Sequence, residues 1–334
     1  MKTLTRLAIA AAVSLAAATG AMSQTRTLSF AHLSNPSHEA ALYAIKQGIV
    51  TSDVIDVAVT ALDIAALQQA IAARTFDVVE GAAMAIPRAN ARGLPLEIIG
   101  IGMRSHEEGL GSGIWVPMDS PIQTAEDLVG KRLGVYTLSS AGMTLNRIAL
   151  NQAYGLNVAA NGGDLQYVEL PESALGAALA AGNVDAATLL HAQAYQAMQT
   201  EDFRPIAHLG RAMTDAYGLR MVTSVLVGYG DRLERDPEAY QEFLRMYRES
   251  VDYALANQDE VFTAVGAAEN IDPDFFTVWF NQFTSIPVYI SQNDLDAIDT
   301  LWTEATNLGV LDVPHSTARE ASWDGAVFEE TEGQ

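Results

Sequence analysis

Between Ala31 and Ala40 the chain reads AHLSNPSHEA, which sets His32, Ser34, Asn35, Ser37 and His38 within seven residues. Imidazoles, hydroxyls and an amide so grouped can donate to and accept from a small polar molecule. Ser37 is also a good helix cap and Asn-Pro a common turn, so local structure competes for the same groups. A second group is VEGAAM (79–84), where Glu80 is followed by Gly81 and Ala82. A third is GVYTLSSAGM (134–143), in which Ser139, Ser140 and Gly142 stand where a helical pattern opens. The first amides of a helix lack partners within it and carry the positive end of its dipole, which favours an anion. Ser140 either caps that helix or helps form a polar notch for a ligand. A fourth group, LLHAQAY (189–195), contributes His191 and Tyr195. Arg104 and Arg220 are candidates to clamp a carboxylate or sulfonate, and Trp115 and Tyr217 to stack on a flat ligand. Surface ion pairing and core packing are the competing roles.

The elements that must position these groups follow from periodicity. TLSFAHL (27–33) alternates as a strand does, and HEAALYAIKQGIV predicts a helix with Leu42, Ile45 and Ile49 on one face. Strand and helix patterns then alternate through VIDVAVT, DIAALQQAIAARTF, DVVEG, MAIPRANARG and LEIIGIGM (96–103). Such alternation predicts a largely parallel sheet with helices on both faces. A second series runs from GIWVPMDS (113–120), through a short helix that Thr124 caps with Asp127, to HAQAYQAMQ. YGLRMVTSVLVGY (217–229) reads as a long extended return, and from Arg232 the chain is mostly helical, with Pro237 in a first turn. The expected organisation is lobe 1 from 24–113 and 222–334, with lobe 2 inserted at 114–221. The candidate groups then recur at strand ends in both lobes, where open α/β sheets bind ligands.

The chain starts with MKTLTR, an apolar run LAIAAAVSLAAA and the small residues TGAMSQ, the order of a secretory signal over residues 1–23. The apolar run is too short for a stable membrane anchor. The sequence has no cysteine, which excludes disulfides, thiolate metal sites and a lipid-modified cysteine. A freely diffusing periplasmic protein is the expected product. Its 334 residues carry a net charge of −22. Without the signal, 17 basic residues face 41 acidic ones, and such a surface repels nucleic acid and anionic lipid. Neither nucleic acid nor a membrane is expected as a partner.

QQAIAARTFDVVEGAAMAIPRANARG, WVPMDSPIQTAEDLVGKRLGV with its following SSAG, ALAAGNVDAATLLHAQAYQA and DPEAYQEFLRMYRESVDYALANQDE together resemble one family. It is that of the periplasmic binding proteins of ABC importers for sulfonates, taurine, nitrate and thiamine-type pyrimidines. The resemblance spans nearly all of the mature chain. It implies an α/β type II periplasmic binding protein fold, with two lobes, a hinge and a central ligand cleft. It further implies a monomeric, non-enzymatic receptor without cofactor or metal, whose partners are a small-molecule ligand and an ABC permease. Contacts would come from residues 32–38, 80–82, 139–142 and 191, with an anionic, sulfonate- or carboxylate-like ligand expected. On this reading Ser139 and Ser140 form the notch. GAAMA is apolar where relatives often carry a polar side chain, which leaves room for a bulkier or flatter ligand such as a pyrimidine. A synthase-like enzyme using a histidine, and metal capture by His32, His38 and His106, are the alternatives.

Overall fold

The computed structural model describes residues 25–329. The signal expected at 1–23 and most of the acidic tail lie outside the described residues. The chain opens with β1 (Arg26–Leu33), α1 (Pro36–Ala41), α2 (Tyr43–Lys46), β2 (Ile55–Leu62), α3 (Ile64–Ala73), β3 (Val78–Gly81), α4 (Ala85–Asn90) and β4 (Leu96–Ser105). It then crosses to β5 (Ser112–Pro117), β6 (Arg132–Val135), α5 (Ala141–Tyr154), β7 (Gln166–Glu169), α6 (Leu175–Ala180), β8 (Ala186–Leu190), α7 (His191–Met198), β9 (Phe203–His208) and α8 (Leu209–Tyr217). The return runs through β10 (Val222–Tyr229), α9 (Gly230–Arg235), α10 (Pro237–Ala256), α11 (Gln258–Glu269), α12 (Pro273–Val278), β11 (Thr284–Ser285) and α13 (Gln292–Asn307).

Two sheets result, one for each lobe. The first has the order β11-β4-β10-β3-β1-β2 and the second β7-β6-β8-β5-β9. β1 runs parallel to β2 and β3, and β6 runs parallel to β7 and β8. β10 is antiparallel to both β3 and β4, because it enters the first sheet from the other lobe. β5 is antiparallel to β8 and β9 for the same reason. Inner strands such as VVEG (β3) and AATLL (β8) are buried throughout, as expected where helices cover both faces.

Local chemistry sets several boundaries. Asp63 caps α3 by accepting from the Ala66 amide, and Thr124 and Asp127 form the expected capping box on a short 3-10 turn. The single helix expected over 38–50 is broken. Ser250 of α10 donates to the Ala41 carbonyl at 2.7 Å and accepts from the Ile45 amide at 3.4 Å, taking both ends of one helical hydrogen bond. A side chain inserted into the ladder breaks the helix there. Ile49 lies beyond the break and is exposed. The extended return expected from 217 also begins later. Tyr217 is the last residue of α8, Gly218 closes that helix at φ 68°, and the strand starts at Val222.

Candidate ligand site

The carboxyl ends of β1 and β3 in lobe 1 lie across a cleft from those of β6 and β8 in lobe 2, around a cavity of about 150 Å³. Lobe 1 lines it with Leu33, Ile64, Leu67, Ile71 and the Gly81–Ala82 strand end. Lobe 2 supplies Tyr136, Ser140 to Gly142, Leu145, Glu172 and His191, while Met213 and Met221 flank the return crossing. The lining is mostly apolar and contains no lysine or arginine.

The chain crosses between lobes near Gly109 and again between Tyr217 and Val222. Gly109 has φ 62°, and a Cβ there would lie 2.2 Å from the Arg211 amide nitrogen. Close backbone approach therefore fixes a glycine at that crossing. Across the cleft, Trp279 donates from Nε1 to Nδ1 of His191 at 3.2 Å. Trp279 begins a π-helical turn over Trp279–Phe283, and His191 sits at φ 51°, a conformation uncommon for a residue with a side chain. With Nδ1 accepting, a neutral His191 carries its proton on Nε2.

Glu80 is the polar anchor of the lobe 1 wall. Its Oε2 accepts from the Leu33 amide at 2.9 Å and lies 2.9 Å from His38 Nε2, and its Oε1 accepts from the Ser224 hydroxyl at 2.6 Å. Burial alone would raise this carboxyl, but the attraction of His38 and the three contacts prevail and hold it at about 2. Burial, reinforced by His38, pushes His32 down to about 4, and His191 is lowered to about 4 by the same two causes. Glu172, from the 3-10 turn before α6, is raised by burial.

The start of α5 answers the question raised by SSAG. Ser140 is the cap: its Oγ accepts from the Met143 amide at 3.2 Å. Its residue, with Ala141 and Gly142, also lines the cleft. Gly142 is needed because a Cβ would lie 2.4 Å from the Tyr136 hydroxyl. Ser139 is exposed, and its carbonyl lies 3.4 Å from Arg88 Nη1 of lobe 1.

Of the residues singled out from sequence, Glu80, Gly81, Ala82, Ser140, Gly142 and His191 line the cleft. Of residues 32–38 Leu33 alone is in the lining, and the polar candidates lie apart from it. Asn35 caps α1 by accepting from the Ser37 amide, Ser34 is exposed, and His32, Ser37 and His38 are buried behind the wall. His32 and His38 stack at 5.7 Å, and His38 acts on the cleft only through Glu80. Arg104 is no clamp at the cleft. It donates from Nη1 to both oxygens of Asp294, each at 3.2 Å, beside the cap of α13. Tyr217 lies near Glu304 rather than over the cavity, and Trp115 is buried in the second sheet. His106 stands on the first crossing, its Nδ1 accepting from the Glu108 amide. Among the described residues no group of three or more His, Asp or Glu converges as a metal site. Sequence reasoning missed Tyr136, Glu172 and Trp279. Tyr136 stood three residues before the serines and had the type to be noticed.

The family model described as NMT1/THI5 like matches residues 35–261. The chain belongs to this family. No curated protein matches the sequence. The fold is similar to that of the periplasmic aliphatic sulphonate binding protein SsuA from Escherichia coli, with TM-score 0.70 and 16% identity over 90% of this chain and 98% of that one. The alkanesulfonate-binding protein SsuA from Xanthomonas axonopodis pv. citri, bound to MOPS, gives TM-score 0.68 and 17% identity over 90% and 99%. The desulfurization enzyme DSZB shares the fold at TM-score 0.60 and 17% identity, over 90% and 97%. The architecture is thus the two-lobed periplasmic binding protein fold, and no helix among the described residues is long and apolar enough to cross a membrane.

Proposed function

We propose that this chain is a periplasmic receptor that captures one small organic molecule between its lobes and delivers it to an ABC permease. The observation that carries the reading is the apolar cleft walled by both lobes, with backbone crossings at its rear. A ligand touching both walls favours the closed form by the difference between its affinities for the two states.

Size and lining favour a flat, largely apolar ligand over a small sulfonate or carboxylate. A cavity of about 150 Å³ lined by apolar side chains holds a molecule of benzene's size. An anion would meet Glu80 and Glu172 with no cationic side chain in the lining, leaving only the α5 amides and hydroxyls to stabilise it. A pyrimidine or similar single ring therefore suits the cleft better than the sulfonate-like ligand suggested by resemblance. The enzymatic alternative is weaker: His32 and His38 lie behind the wall, and the Nδ1 of His191 is engaged by Trp279.

A thermal-shift screen of the mature protein tests this, because a tight ligand at a hundredfold excess over Kd stabilises by about 2.7 kcal/mol. Single-ring solutes should raise the melting temperature and be recovered unchanged. Chemical conversion of the bound solute would contradict the receptor reading.

A further inference from the structure

Two carboxylates enter the cleft from opposite lobes, and their surroundings differ. Glu80 is almost wholly buried and already has three partners, two on Oε2 and one on Oε1. A carboxylate offers about four lone-pair sites, so Oε1 retains one. Glu172 is half-buried, and among the described residues no donor reaches its carboxylate. Removing such a group from water without a partner is costly. His38, behind the wall, offsets Glu80, but the lining has no lysine or arginine to offset Glu172. Arg88, the nearby cation of lobe 1, is directed to the Ser139 and Val310 carbonyls. His191, the remaining basic side chain of the lining, is held neutral at pH 7 by burial.

We infer that the ligand is an organic cation, a primary ammonium or amidinium on an apolar body about one ring across. Its N–H groups engage Glu172 and the free lone pair of Glu80. This rests on the receptor reading and specifies its substrate class. The apolar walls exclude water around the ring, and low local dielectric strengthens each charge-assisted hydrogen bond. The ligand supplies the positive partner that Glu172 lacks, and small anions are repelled from the same cleft.

The test uses three isosteric sets of probes on the mature protein, read by isothermal titration: benzylammonium and benzamidinium, neutral benzyl alcohol, and benzoate with benzenesulfonate. The cations should bind at least tenfold more tightly than the neutral and anionic probes. Glu172→Gln should weaken cation binding at least tenfold while leaving the melting temperature of the empty protein unchanged or raised. Glu172 is used because Glu80→Gln would also disturb the buried His38 contact. Preference for the anions or the neutral probe, or a Glu172→Gln effect within twofold, overturns the charge assignment and leaves the receptor reading standing. No binding by any of the three sets removes the receptor reading, and the assignment with it.

Discussion

His32 and His191 titrate near pH 4 because burial disfavours their charged forms, against an ordinary value of 6.5. Below pH 6.5 the unfolded chain takes up a proton at each position before the folded chain does. Stability is therefore full above 6.5 and falls as pH drops toward about 4, by about 1.4 kcal/mol per pH unit for each histidine. Glu80 extends the loss. Its folded value of about 2 lies below the ordinary 4.5, so its contribution is present above 4.5 and fades as pH falls toward 2. Urea melts at pH 7, 6 and 5 should show this slope, and His191→Gln should reduce it; an unchanged slope would contradict the burial account. Ser140 gives a second test at this scale. Aspartate can cap a helix as serine does, but Ser140 is buried in the lining that also holds Glu172, so Ser140→Asp should lower stability by about 1–3 kcal/mol. The added negative charge beside the cleft should tighten benzamidinium binding measured by titration. Weaker binding would show that the α5 notch receives a negative group.

Element by element, the start of α5 is built around a missing side chain. Gly142→Ala would drive a methyl into the Tyr136 hydroxyl and should cost about 1–3 kcal/mol by chemical denaturation. Tyr136→Phe in the same chain should recover most of that loss; no recovery would place the strain elsewhere. Sequence made the helix and its serine cap legible, since both are local. It also made legible α3 after Asp63 and α10 after Pro237, where period and cap agree. The break between α1 and α2 was hidden because Ser250, 209 residues from Ala41, imposes it. Arg104 looked free to clamp an anion because Asp294, 190 residues away, becomes its partner only in three dimensions. Trp279 lies in FFTVWF, which reads as core, and nothing local announces that its indole reaches His191 in the other lobe.

For the whole molecule, alternation of strand and helix patterns foretold two α/β units, and two crossings join them. What it could not foretell was the charge of the space between them. That depends on which side chains converge from distant segments, and here Glu80 arrives with His38 behind it while Glu172 arrives without a basic partner. Contacts from lobe to lobe, Trp279 with His191 and Tyr195 edge-on to Phe275 at 5.6 Å, place the described conformation with its lobes together. A cavity of one ring's size between the lobes fits a receptor that holds its ligand there. The most direct measurement is isothermal titration of the best screened solute into the wild type and into Ala82→Trp, whose indole would fill the cavity, with circular dichroism to verify folding. The account expects one solute per wild-type chain and no detectable heat with folded Ala82→Trp. Equal affinity in the two proteins would contradict it, because the solute would then be held outside the cleft.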